Sequence, residues 1–130
     1  MTFAKLFEII SENSVIQIRN IMISDNLKDE IIKKVSPKRL HKLILFGSHA
    51  YGDPSEASDI DLLVVLNSDE IPRNYEERSL NYLEVNRLLR DINKRVSMDL
   101  MVMTKAQWKK FIELDSGFSK EINLKGIHLI

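Results

Sequence analysis

The run Ile60-Asp61-Leu62-Leu63-Val64-Val65-Leu66 is apolar at every position but one, and that one is an aspartate. Seven residues so rich in Leu, Val and Ile, with no polar alternation, read as a strand buried on both faces. An ionised carboxylate inside such a strand carries a large desolvation penalty unless it meets a cation or lies at an exposed strand end. The anomaly recurs at Met98-Asp99-Leu100-Met101-Val102, where Asp99 breaks a second apolar run and a strand is expected over 96–103. Asp59 precedes Asp61 by two residues, so the period of the strand puts both carboxylates on one face, about 6.5 Å apart along the chain. If the two strands are neighbours, three carboxylates converge.

The remaining pattern supplies a frame for them. Leu43 to Phe46 reads as a third buried strand, stopping abruptly at Gly47-Ser48. Residues 49–58, with Gly52, Asp53, Pro54 and two serines, read as a loop holding no more than a helical turn. Residues 67–73 read as a turn. Tyr75 to Arg95 reads as the longest helix, with Val85, Leu88, Leu89, Ile92 and Val96 as its core stripe. Shorter helices are expected from Asp25 or Asn26 through Val35, from Thr104 through Ile112, and from Ser116 to Leu124 before Gly126. Residues 127–130 add an edge strand, and 3–22 carry apolar residues at helical spacing. Helices and strands so mixed predict an α/β (α+β) fold, a small mixed sheet flanked by helices. A length of 130 residues fits one domain over 1–130, with 1–24 as a helical N-terminal extension.

Composition removes several classes of function. The 19 basic and 19 acidic side chains cancel, so no global basic excess drives binding to a polyanion, and direct nucleic-acid binding is not expected. There is no cysteine, which excludes disulfides and thiolate metal sites. No apolar run approaches the roughly 20 residues that span a bilayer, and no leader pattern opens the chain, so a cytoplasmic protein with no membrane contact is expected.

Three carboxylates on two strands suit one or two Mg²⁺ ions (or Mn²⁺), which take oxygen ligands and leave positions for water and phosphate. Paired metals of this kind stabilise both the attacking and the leaving oxygen of a displacement at phosphorus. Gly47-Ser48 complements them, because glycine lets backbone approach a phosphate and a serine opening a helical turn offers a hydroxyl and free N–H groups. Taken singly, a Gly-Ser pair is usually a turn, and one Asp in an apolar run is usually a strand-end residue. All three features in this order point to a phosphate-and-metal site.

Gly47-Ser48, ten residues, then Asp59-x-Asp61 resembles the signature of the DNA polymerase beta-like nucleotidyltransferase superfamily, and within it the minimal nucleotidyltransferases of bacteria and archaea. The stretches Leu45-Phe46-Gly47-Ser48-His49-Ala50-Tyr51-Gly52 and Ser58-Asp59-Ile60-Asp61-Leu62-Leu63-Val64 carry the resemblance, and Met98-Asp99-Leu100 resembles the segment with the third acidic residue. The likeness runs from about Pro37 to Gly126-Ile127. It implies the polymerase beta-like nucleotidyltransferase fold, Asp59, Asp61 and Asp99 as metal-binding catalytic residues, and Asp99 as the group that helps activate the attacking hydroxyl. Gly47 and Ser48 would hold the nucleotide phosphates, with His49 facing the nucleotide. The family often has arginine where this chain has His49 and Tyr51, a departure that bears on triphosphate binding and on the acceptor.

Minimal nucleotidyltransferases are typically paired with an HEPN-domain protein, a helical ribonuclease toxin. The resemblance therefore implies an antitoxin, in hetero-oligomer with that toxin, which moves AMP from ATP onto one of its tyrosines. Relatives that act on antibiotics carry further domains for the acceptor, and the short chain favours a protein acceptor or a small, weakly held one. Two rivals stand beside this reading: transfer to a small molecule of the aminoglycoside type, and an antitoxin that neutralises by contact alone. The basic segment Lys33 to Lys42 reads as a solvated face, and Tyr75, Tyr82, Trp108 and Phe111 as core or partner contacts.

Overall fold

The computed structural model describes residues 25–51 and 59–130. The chain divides into two compact units, residues 1–31 and 32–130, and the second carries the whole sheet and every described helix after the first. The helix expected over 3–22 and most of the 49–58 loop lie outside the described residues. Residues 25–35 are helical (α1), followed by β1 (Leu40–Phe46), α2 (Ser48–Tyr51), β2 (Ile60–Leu66), α3 (Tyr75–Leu88), α4 (Arg90–Arg95), β3 (Met98–Thr104), α5 (Lys105–Glu113), α6 (Gly117–Lys125) and β4 (Ile127–His128).

The four strands form one mixed sheet in the order β3-β2-β1-β4. β1 runs antiparallel to both β2 and β4, whereas β2 and β3 are parallel. A parallel pair needs a crossover long enough to carry the chain back, and α3 with α4 supplies it. Helices cover both faces, which is why β2 is apolar almost throughout. One face packs Ile44, Phe46, Leu63 and Val65 against Trp108 of α5 and Ile122 of α6, with Met101, Met103, Phe111 and Ile112 around them. No α3 or α4 residue joins that cluster. Val85, Leu89 and Ile92 are fully buried, α3 packs on β3, and Leu43, Leu62 and Val64 fill the opposite face.

Local chemistry sets the helix starts. Asn74 accepts the Glu77 N–H at 3.0 Å and Ser116 accepts the Ser119 N–H at 3.1 Å. Thr104 and Gln107 form a reciprocal capping box, as the expected cap at Thr104 requires. At the other end of α6, a Cβ on Gly126 would stand 2.3 Å from the Ile122 carbonyl oxygen and 2.5 Å from an Ile44 methyl. Only glycine lets this helix end so close to β1.

Several boundaries differ from the sequence expectation, and β4 ends at His128 rather than Ile130. β1 starts at Leu40 rather than Leu43, because Leu40 pairs with Leu66 across a bulge before Lys42. Its first three residues are only half-buried, so no apolar run marks them. The expected helix over 75–95 is two helices, broken at Leu89, whose backbone turns to φ −95°, ψ 3°. The break leaves Val85, Leu89 and Ile92 buried and Leu88 and Val96 at the margin. β3 begins at Met98 rather than Val96, since Val96 caps α4 and the Asn93 side chain accepts the Met98 N–H at 3.1 Å.

Candidate active site

The end of β1 and the beginnings of β2 and β3 meet at one end of the sheet. Phe46 pairs with Asp61, and Asp61 pairs in turn with Asp99 on the parallel strand. Register partners in a parallel pair send their side chains to the same face, so the two carboxylates stand side by side. Just before β2, the Ile60 N–H donates to the Ser97 carbonyl at 2.9 Å and locks this register. Asp59 lies one strand period before Asp61. The condition that the sequence left open, that the two acidic strands be neighbours, is met.

Their electrostatics are those of a crowded site. Burial, the Asp99 charge and the Asp59 charge, in that order, push the Asp61 carboxyl above the ordinary aspartate range, and His49 pulls it the other way. Asp61 is half-buried, while Asp59 and Asp99 are exposed. Among the described residues, no three acidic or histidine side chains converge closely enough to ligate one cation as they stand. Like charges this near repel, and side-chain rotation would have to bring them together around an ion. The donor set is all carboxylate oxygen, and an ionised Asp61 beside two further negative charges is stabilised by any cation placed among them. Both properties fit a hard divalent metal such as Mg²⁺.

Gly47 has a role beyond the one its sequence suggests. Its φ is +73°, and a Cβ built on it would lie 2.0 Å from Asp61 Oδ2. The aspartate side chain fills the space that any other residue's Cβ would need. Glycine is thus required for Asp61 to point where it does, whatever it also gives a phosphate. The turn continues into α2, whose Ala50 and Tyr51 N–H groups donate to the Gly47 carbonyl at 3.0 and 3.2 Å. Ser48 and His49 open that turn, beside the carboxylates, and their amides lie ahead of its first hydrogen bonds.

The sequence-selected residues Gly47, Ser48, His49, Asp59, Asp61 and Asp99 are therefore gathered at one end of one sheet. The basic segment does not join them. Its Lys34 faces Asp91 at 3.7 Å and its Lys38 pairs with Glu84, a charged surface engaged with other surface charges. Trp108 is buried in the core, whereas Tyr75 and Tyr82 are exposed on α3, where with Arg78 and Ser79 they line an open surface hollow. One aromatic residue near the site, Phe118, was not singled out by sequence. It sits at the same helical phase as the core residue Ile122, and that spacing hides it.

A family model described as a nucleotidyltransferase domain matches residues 24–123. No curated protein matches the chain. A solved structure from Sulfolobus solfataricus, described there as a candidate nucleotidyltransferase, shares the fold with a TM-score of 0.52 at 22% identity. The match covers 83% of this chain and 79% of that one.

Proposed function

Because the chain belongs to the nucleotidyltransferase domain family, we propose that it transfers AMP from ATP to a tyrosine hydroxyl of a cognate HEPN ribonuclease toxin and so acts as an antitoxin. Members of the family generally use a nucleoside triphosphate and a divalent metal. The observation that carries the catalytic part is the register Asp61↔Asp99 set directly against Gly47, with Asp59 near enough for its charge to act on Asp61. The resemblance to the minimal nucleotidyltransferases supports the choice of acceptor. Support comes also from α3, where Tyr75, Leu80, Tyr82 and Leu83 are exposed and form the kind of surface that meets another protein.

In this reading Asp59, Asp61 and Asp99 hold the metal. Bound there, Mg²⁺ would neutralise the charge that builds on the phosphate oxygens during in-line displacement. Ser48 and the amides of the Gly47 turn orient the triphosphate. Asp99, exposed on β3, takes the proton of the tyrosine hydroxyl at a carboxylate oxygen. The phenolic oxygen bonds to the α-phosphorus, the bond to the bridging oxygen of the β-phosphate breaks, and pyrophosphate leaves with that electron pair.

The test is to incubate the chain with Mg²⁺, ATP and the HEPN protein encoded beside it, and to read intact masses. Added AMP mass on the partner, absent with Asp59→Ala, is the expected result. A partner neutralised without mass gain would establish inhibition by contact and overturn the transfer reading.

A further inference from the structure

Phe118 stands four residues before the fully buried Ile122 on α6, the phase of a core residue, yet it is 46% exposed. Its ring packs T-shaped on Phe46, with centroids 6.0 Å apart, and on Phe111, with centroids 5.9 Å apart. Phe111 in turn lies 5.8 Å from Trp108. A chain of rings thus leads out of the core, and its last member leaves nearly half its surface in water. The place where it emerges is specific. Phe46 is the register partner of Asp61 and the residue before Gly47, so Phe118 borders the acidic end of the sheet on the face that bears the carboxylates.

Distance makes this position meaningful. Paired residues of antiparallel strands lie about 5 Å apart, so a ring one aromatic contact beyond Phe46 is on the order of 10 Å from the Asp61 carboxylate. That is comparable to the reach from the phosphates of an extended nucleoside triphosphate to its base. An exposed ring held by two T-shaped contacts is pre-ordered, and stacking on an aromatic face accepts every base.

Resting on the reading of the three aspartates as a nucleotide site, we propose that Phe118 is the platform on which the nucleobase of the bound triphosphate stacks. It positions the nucleotide without selecting strongly among bases, because a ring face offers no hydrogen-bond pattern to read.

The experiment titrates the full chain calorimetrically with ATP and with inorganic tripolyphosphate, both in Mg²⁺, using wild type, Phe118→Leu and Phe118→Trp. Leucine keeps apolar volume against Phe46 and Phe111 but removes the ring. The expected result is ATP affinity weakened about tenfold to a hundredfold in Phe118→Leu, with tripolyphosphate affinity unchanged and ATP affinity kept in Phe118→Trp. The fluorescence of 2-aminopurine riboside triphosphate is quenched on wild type and on Phe118→Trp, but not on Phe118→Leu. ATP affinity in Phe118→Leu within about twofold of wild type overturns the proposal and leaves the nucleotidyltransferase reading standing. Equal loss of both ligands in Phe118→Leu assigns the ring a packing role and also overturns it. Wild type that binds neither ligand would remove the nucleotide site itself, a different failure from the other two.

Discussion

The two ends of the sheet are built on opposite terms. At the end where β2 and β3 finish, backbone and side chains are satisfied. Thr104 is buried within its capping box, the Asn67 N–H donates to the Arg39 carbonyl at 2.9 Å, and the Ala106 N–H donates to the Ser68 carbonyl at 3.4 Å. At the end where they begin, a glycine sits at positive φ against a carboxylate, and that carboxylate is crowded by two others. The charged neighbours differ as well, although Lys105 at the first end also faces Asp69 at 4.0 Å. Burial, Lys105 and Lys42 hold His41 below its ordinary range at the first end, while the second end gathers aspartates. One end of the sheet stabilises the fold, and the other carries backbone strain and crowded like charges that stability alone does not call for.

Substitutions at the two ends should separate accordingly. Asp59→Ala and Asp99→Ala are expected to lower kcat/KM for AMP transfer by at least about a thousandfold, roughly 4 kcal/mol, with melting temperatures equal to or above wild type. A radiolabel transfer assay beside a thermal melt checks both halves. Gly47→Ala should lose activity and also about 1–3 kcal/mol of stability, because the residue at positive φ is strained and its Cβ meets Asp61. The double variant with Asp61→Ala should recover part of that loss in a denaturant titration, and full additivity would show that the contact is not the cause. Thr104→Ala at the quiet end should cost about 1 kcal/mol of stability with kcat unchanged; a fall in kcat at constant Tm would erase the contrast between the ends.

Asp61→Asn is the smallest and most diagnostic change. The folded-state pKa of Asp61 is raised, so its ionised form costs stability at neutral pH, and that cost is relieved as pH falls through the raised value. The variant should therefore melt above wild type near neutrality, with the difference closing as pH approaches the ordinary aspartate range. A difference that grows with acidity would mean the carboxylate is stabilised in the fold instead.

Much of this is legible in the amino-acid sequence. Asp61 and Asp99 stand out because each interrupts an otherwise apolar run, and Thr104 stands out as a cap because a polar residue separates strand from helix. What escapes has a common physical origin. Leu40 to Lys42 join β1 through backbone pairing that leaves no apolar signature. The break at Leu89 preserves helical spacing of the buried residues while changing one residue's dihedrals. Phe118 shares its phase with Ile122, and only the end of the sheet beneath it decides that one is buried and the other open. The meaning of Gly47 belongs to this group too, since the side chain that excludes a Cβ there lies 14 positions away in sequence.

The order of the strands bears on what can approach Asp99. Among the described strands β3 is the margin of the sheet, and Asp99 is exposed on it, whereas Asp61 is flanked by strands on both sides. A hydroxyl carried on a large folded body cannot reach the floor of a deep cleft, but it can come alongside a rim. In the proposed reaction the carboxylate that accepts the proton therefore occupies the position where the size of the acceptor matters least, and selection among acceptors would fall to surfaces farther out.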